Sequence, residues 1–167
     1  MFKQALDYVV FMPYGLVVDK FRWDIFSGLP EEKWNERWTE LRLQYQGISS
    51  PTDLDGFNAA GNKDILTEYR GVDFFIGNLL SFQLHASFCK SIGEYEPNNS
   101  LKPLHKCNID KYENIGIEEA LQAGSSKHWS EVLFQMTGER AINANGFLEY
   151  FKPLSTFLEQ ENNRRGK

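Results

Sequence analysis

Three features are missing from this sequence, and each absence excludes a class of protein. No run of about 18 apolar residues exists, so nothing in the sequence predicts a transmembrane helix. Acidic residues outnumber basic ones, 23 to 18, and the formal net charge of −5 gives no electrostatic basis for binding nucleic acid. The only histidines are His85, His105 and His128, and none has another histidine four residues away. The sequence therefore lacks a helical pair of imidazole ligands for zinc.

The first residues do not resemble a secretory leader. Asp7 and Pro13 interrupt the apolar stretch from Ala5 to Val18, and no small-residue cleavage site follows it cleanly. If the protein is exported, we expect its export signal to lie outside these 167 residues.

The composition, 41% hydrophobic and 25% charged, is typical of a folded domain. Helical periodicity recurs along the chain and strand-like alternation does not, so we predict an all-α fold in a single domain over residues 1–167. Pro13 is expected to break the first helix and Pro153 to kink the last. The polar segment Ile48–Thr67 is predicted to be a long loop. The six predicted helices cover about Phe2–Phe26, Pro30–Gln46, Glu68–Ile92, Asp110–Gln122, Lys127–Met136 and Asn143–Asn162.

The third predicted helix is apolar on more than one side, and such a helix needs partners all round. Five shorter neighbours do not suffice to cover it. We therefore expect the isolated chain to expose a large apolar patch, to be marginally stable or to self-associate. The apolar residues concerned are Val72, Phe74, Phe75, Ile76, Leu79, Leu80, Phe82, Leu84 and Phe88.

The two cysteines, Cys89 and Cys107, enclose a loop-like stretch. Two lone cysteines in a cytosolic protein are usually buried free thiols, and the residues alone leave that alternative open. The same stretch contains Asn98-Asn99-Ser100, an acceptor sequence for N-glycosylation centred on Asn98.

Trp38 and Arg42 lie four residues apart in a predicted helix that ends at Gly47. This spacing places an indole N–H and a guanidinium on neighbouring turns of one face, where two donors can hold an anion. The alternative is structural, with the indole stacked under the guanidinium.

Several long strings resemble the angiotensin-converting-enzyme family of zinc peptidyl-dipeptidases and follow in that family's order. They cover nearly the whole chain, which corresponds to about the last quarter of one peptidase domain. The strings are Ala5–Asp7, Phe11–Gly15, Val18–Trp23, Trp34–Gly47, Phe82–His85, Cys89–Lys90, Pro103–Cys107, Gln122–Ser126 and Tyr150–Leu154.

The resemblance implies a set of properties. It implies a disulfide between Cys89 and Cys107, a chloride held by Trp38 and Arg42, and a secreted or membrane-attached protein. The family's His-Glu-x-x-His zinc motif would precede Met1, so we expect no metal in this chain alone and, apart from that chloride, no cofactor. A loop Lys of the family, which binds the substrate carboxylate, corresponds to Lys63 when one residue is gapped.

Other family positions carry different residues here. Counting back from Phe82–His85, the Tyr that stabilises the oxyanion becomes Phe74, and the Arg that binds a second chloride becomes Asp73. The Tyr that binds the substrate carboxylate becomes Gly71. A His that contacts the substrate backbone becomes Ile65, or Asp64 without a gap. No catalytic residue is therefore assigned in this chain.

These observations support three hypotheses. The first is a segment of a zinc metallopeptidase that is itself non-catalytic, as in a pseudoenzyme, and whose partner is the remainder of the peptidase domain. The second is a non-enzymatic helical module that binds a protein or peptide. The third is an inert truncated product.

Overall fold

A computed structural model describes residues 1–49, 65, 70–111 and 117–166. Within these ranges the chain contains six helical stretches and no strand, which confirms the prediction of an all-α fold. The first stretch comprises α1 (Phe2–Ala5), a π-helical turn (Leu6–Val10) and α2 (Met12–Phe26). The others are α3 (Trp34–Gln46), α4 (Gly71–Ser91), α5 (Ile117–Ala123), α6 (Trp129–Thr137) and α7 (Asn145–Arg164).

The chain forms two compact units. One comprises residues 3–78, here called the N-terminal unit, and the other comprises residues 1–2 and 79–167, here called the C-terminal unit. In the described parts of the chain, no helix combines the length and the hydropathy needed to cross a membrane.

The N-terminal unit is built on the pairing of α2 with α3. Val17, Val18 and Phe21 from α2 pack against Trp38 and Leu41 from α3, and all five are buried. Burial of these side chains is the main favourable term that holds the two helices together.

Prolines and glycines set most helix ends as the sequence predicts. The break before Pro13 takes the form of the π-turn and a turn residue at Phe11, since proline has no N–H to continue the hydrogen-bond ladder. Gly47 ends α3 and Gly138 ends α6, both in the left-handed conformation that glycine adopts without steric cost. The last helix continues through Pro153.

Two helix starts differ from the prediction by about a turn. Pro30 lies before a 3-10 turn (Glu31–Lys33) that leads into α3, rather than inside the helix. The helix predicted from Glu68 begins at Gly71, and Arg70 is not helical. Asp19 fixes this later start, because its carboxylate accepts a 2.6 Å hydrogen bond from the backbone N–H of Val72, in the first turn of α4.

Two predicted segments are only partly described. The helix predicted over Asp110–Gln122 is seen at its ends, as a 3-10 turn (Ile109–Lys111) and as α5. Most of the loop predicted over Ile48–Thr67 lies outside the described residues, and Ile65 within it is helical.

In the C-terminal unit, an aromatic cluster joins the second half of α4 to α7. The Phe82 ring lies 5.1 Å from both Phe147 and Tyr150, with edge-to-face geometry. The two helices approach so closely at Gly146 that a Cβ there would lie less than 3.0 Å from the carbonyl of Phe82. Glycine at this position therefore permits the packing of α7 on α4.

A buried amide fixes the loop between α6 and α7 in the same unit. Gln83 of α4 is 4% exposed and donates to the Glu139 carboxylate and, at 3.1 Å, to the carbonyl of Ala141. Its own side-chain oxygen accepts from the backbone N–H of Asn143 at 3.3 Å. The amide is thus satisfied on both sides, as a buried polar group must be.

Candidate functional site

The first turn of α4 carries the positions at which the family resemblance places substrate-binding and oxyanion-binding residues. Gly71, at its start, lies against Gly15 of α2, and a Cβ on either glycine would come closer than 3.0 Å to the backbone of the other. Backbone atoms cannot rotate away as a side chain can. Position 71 therefore has no room for a phenol in this fold.

Phe74 presents a hydrocarbon ring where the resemblance expects a hydroxyl donor. Its ring contacts Phe11 edge-to-face at a centroid distance of 5.4 Å, and 36% of the residue is exposed. The ring has no O–H, so it cannot donate a hydrogen bond to a developing oxyanion.

Asp73 occupies the position of the second chloride-binding arginine. Its carboxylate pairs with Arg70 at 3.1 Å, and both side chains are largely exposed. A carboxylate repels chloride, and an ion pair so open to water contributes little to stability. At this end of α4 the Arg70 guanidinium is thus paired with a carboxylate, and position 73 itself carries a negative charge where the resemblance expects a positive one.

Ile65 takes the position of the substrate-contacting histidine when one residue is gapped. It is partly buried against the core formed by α2 and α3, which is a packing role. Lys63 and Asp64, the predicted carboxylate ligand and the ungapped alternative, both lie outside the described residues.

Trp38 and Arg42 share a face of α3 but differ in their surroundings. The Trp38 ring is 2% exposed and lies edge-to-face at 5.2 Å from Phe21 and 6.4 Å from Tyr14. The half-buried Arg42 donates from Nε to the Gln46 side-chain oxygen at 3.4 Å. Trp38 is therefore a core residue in the described contacts, and the anion-binding role remains a prediction.

The disulfide between Cys89 and Cys107 is present, which confirms that pairing and leaves no free cysteine in the described chain. It ties α4 to the chain that follows the 3-10 turn Leu104–Lys106. Cys89 and Leu104 are both fully buried or nearly so, which places the bond within the packed interior of the C-terminal unit.

Removing this bond should lower the free energy of unfolding by about 3 kcal/mol, because it constrains a loop of 18 residues in the unfolded chain. The double variant Cys89→Ala, Cys107→Ala tests this by chemical denaturation beside the oxidised wild type. A loss below about 0.5 kcal/mol would show that the loop closure contributes almost nothing.

Asn98 lies in an exposed turn of the loop that the disulfide closes. It has φ of 65°, a left-handed conformation that asparagine tolerates better than most residues. The neighbouring Asn99 is engaged through its side chain, donating to Glu96 and accepting from the backbone N–H of Leu101, both at 2.9 Å. Asn98 is thus the more exposed of the two asparagines, and its glycosylation remains a prediction.

We expect protein secreted from eukaryotic cells to carry one N-linked glycan on this turn. Enzymatic deglycosylation should lower its mass, and Asn98→Gln should abolish that difference. Asn99→Gln is the matched control, since it preserves the Asn98 acceptor sequence. An unglycosylated secreted wild type would refute the assignment.

The three histidines lie in different surroundings. Burial lowers the pKa of His85, with a backbone hydrogen bond at Leu104 opposing the shift. Burial and the charge of Lys106 lower the pKa of His105. His128 precedes α6, and its ring accepts from the backbone N–H of Ser130 at 3.4 Å, a helix-capping role.

Among the described residues, one group of three metal-ligating side chains clusters, with its ligand atoms within 4.8 Å of one another: His85, Cys89 and Cys107. The two sulfurs are bonded to each other in the disulfide, so neither is a thiolate that could bind a metal ion. With the disulfide formed, this cluster offers a metal ion only the His85 imidazole.

Sequence reasoning missed the contacts that connect distant segments. Asp19 caps the helix through the N–H of Val72, 53 residues later, and Gly15 makes room for Gly71. No local pattern marks either residue, because each acts on a segment remote in sequence. At position 71, the only sequence signal of this close backbone contact is the glycine that stands in place of the family's tyrosine.

Comparison with known proteins gives a consistent result. The family profile described as "Angiotensin-converting enzyme" matches residues 1–167. The chain is 37% identical over 172 residues to an angiotensin-converting enzyme-related protein of Drosophila melanogaster, covering 99% of this chain and 27% of that protein.

Two mouse proteins show similar agreement. Angiotensin-converting enzyme is 37% identical over 172 residues, which cover all of this chain and 13% of the enzyme. Angiotensin-converting enzyme-like protein Ace3 is 36% identical over 167 residues, which cover 97% of this chain and 22% of that protein. The chain thus spans about a quarter or less of the length of these relatives.

Proposed function

Because this chain belongs to the angiotensin-converting enzyme family, we propose that it is a non-catalytic segment of a peptidase domain of the peptidyl-dipeptidase type. The observation that carries the proposal is the first turn of α4. There, Gly71 and Phe74 stand where the resemblance expects two phenols, and Asp73 stands where it expects a guanidinium. Gly71 packs against backbone, Phe74 offers only a hydrocarbon ring, and the Asp73 carboxylate is paired with a cation.

Each replacement has a cost for amide hydrolysis. Loss of one oxyanion donor typically costs about 2.7–4 kcal/mol of transition-state stabilisation, or roughly 10²–10³ in rate. Loss of the groups that hold the substrate carboxylate weakens the positioning of the scissile bond. These losses act on different parts of the reaction, so their combination leaves little catalysis.

Zinc enters this proposal only through the segment that would precede Met1 in the family order. When bound there, zinc would supply an activated water and polarise the scissile carbonyl. This chain's contribution is the scaffold of α2, α3 and α4 and, if they serve their family roles, a chloride at Trp38 and Arg42 and a carboxylate contact at Lys63.

The proposed partner is the remainder of the peptidase domain, and the proposed location is extracellular. Val72, Phe74 and Ile76 on α4 are exposed. This agrees with the expectation that the isolated chain leaves apolar side chains of this helix uncovered. Further helices of the domain would cover them. The disulfide and the exposed Asn98 acceptor sequence both suit an oxidising, glycosylating compartment.

The test is an assay of dipeptide release from a blocked tripeptide, with zinc and chloride supplied. We expect no zinc-dependent release above a protein-free blank, both from this chain and from a longer product of the same gene that includes any preceding segment. Mouse angiotensin-converting enzyme serves as the positive control. Turnover by either form, with one tightly held zinc per chain, would overturn the proposal.

The second candidate is a helical module that binds a protein or peptide without cleaving it. The exposed apolar side chains of α4 favour it, because large uncovered apolar patches mark interaction surfaces. If such binding exists, Ile76→Glu should abolish it, while Ser81→Glu, on an already exposed polar position of the same helix, should not.

A further inference from the structure

An open groove in the C-terminal unit is used by neither of the two functions proposed above. It has a volume of about 330 Å³ and lies between α4 and α6, beside the turn that follows α5; it is here called the α4–α6 groove. Volumes of about 300–1,000 Å³ are typical of small-molecule sites. Its walls are apolar side chains, namely Leu80, Leu84, Trp129, Val132, Leu133 and Met136.

The helical spacing of apolar residues builds the two walls of this groove. Leu80 and Leu84 lie one turn apart on α4, so they present a single apolar strip. Val132 and Met136 have the same spacing on α6, and all four side chains are only half-buried. Trp129, at the start of α6, is 55% exposed. The groove is therefore an uncovered apolar surface rather than a closed part of the core.

Among the described residues that line the groove, Lys127 is the only charged one. It is exposed, and within the described ranges no carboxylate forms an ion pair with it. It also precedes α6, and the N-terminal end of a helix carries the positive end of the helix dipole. An apolar groove beside an unneutralised ammonium group is complementary to a molecule with a hydrocarbon tail and a negatively charged head.

We propose that the α4–α6 groove binds a straight-chain fatty acid of medium length, with its hydrocarbon chain between the two helices and its carboxylate at Lys127. A volume at the lower end of the range for ligand sites favours a medium chain over a long-chain lipid. A protein partner fits less well, because a stable protein–protein interface takes about 20–30 residues a side, whereas eight described residues line this groove.

Titration of the full chain with octanoate, decanoate and dodecanoate, each kept below its micelle concentration, tests the proposal. Trp129 is the probe, because a hydrocarbon chain that covers its exposed ring should shift the indole emission to shorter wavelengths. We expect saturable binding of one fatty acid per chain, and Trp129→Phe should remove the shift. Affinity should rise by up to roughly fourfold for each added CH₂ until the groove is filled.

A charge variant and a neutral ligand together test the carboxylate contact. Lys127→Gln should weaken octanoate binding by roughly threefold to fivefold, the effect of losing an exposed ion pair, and should leave the binding of 1-octanol unchanged. Lys152→Gln is the matched control, since it removes an exposed lysine of α7 that pairs with Glu149. Octanoate binding that is insensitive to Lys127→Gln, or an equal loss for both ligands, would refute the role of Lys127.

A larger side chain tests the apolar part of the site. Met136→Phe should fill part of the groove and weaken decanoate binding by roughly tenfold or more, the equivalent of about two CH₂ groups left unburied. Leu148→Phe enlarges an exposed apolar side chain of α7 outside the groove and should bind as the wild type does. Circular dichroism shows that both variants are folded. If Met136→Phe unfolds, Lys127→Gln, at an exposed position, carries the test.

Three results would overturn the proposal. The first is a wild type that shows no saturable binding of any of the three fatty acids. The second is a folded Met136→Phe that binds decanoate as tightly as the wild type. The third is a ligand-free dimer, detected by sedimentation, that Met136→Phe dissociates, because a second copy of the chain would then occupy the groove.

Discussion

Gly71→Tyr is expected to unfold the N-terminal unit rather than restore a substrate-binding phenol. A side chain at this position must begin with a Cβ closer than 3.0 Å to the backbone of Gly15, which cannot yield without moving α2 away from α4. Overpacking of side chains costs about 1–3 kcal/mol, and a clash with backbone should exceed that range. Denaturation monitored by circular dichroism measures the loss.

Gly77→Tyr is the matched control on the same helix. A Cβ at Gly77 meets no heavy atom within 4 Å, and the residue is exposed, so this variant should lie within about 1 kcal/mol of wild type. Equal stability of the two tyrosine variants would mean that α2 and α4 can separate at low cost. The structural argument for a lost substrate site at position 71 would then fail.

Trp38→Ala should lower the free energy of unfolding by about 3–5 kcal/mol even in the absence of chloride. The indole is buried among Phe21, Tyr14 and Leu41, and truncation leaves a cavity between α2 and α3. Urea denaturation in matched chloride and acetate buffers measures both the loss and its dependence on the anion.

Two milder variants test the anion site that the sequence predicts. Trp38→Phe keeps an aromatic ring but removes the N–H, and Arg42→Met removes the guanidinium. If the pair binds chloride, the wild type should be more stable in chloride than in acetate, and both variants should lose that difference. A wild type equally stable in both buffers would leave Trp38 as a core residue only.

The pattern of the sequence was sufficient to predict the helices and most of their ends. Gly47 and Gly138 end helices because a residue with positive φ follows the last turn, and glycine adopts it without strain. The pairing of Cys89 with Cys107 followed from the family resemblance, since two cysteines alone are equally compatible with free thiols. The sequence pattern predicts too early a start for α4, because the start is set by Asp19, a residue of another helix.

The sequence by itself shows that Phe74 lacks a hydroxyl, that Asp73 carries a charge opposite to that of the family's arginine and that no two histidines lie four residues apart. These are properties of side-chain chemistry and spacing. The sequence does not show whether the fold could accommodate the family's residue at such a position. That depends on which atoms fill the space around the position. The backbone of Gly15 fills the space beside Gly71, and the backbone of Phe82 fills the space beside Gly146. Those neighbours come from segments far away along the chain, and their approach is fixed by packing rather than by any local pattern.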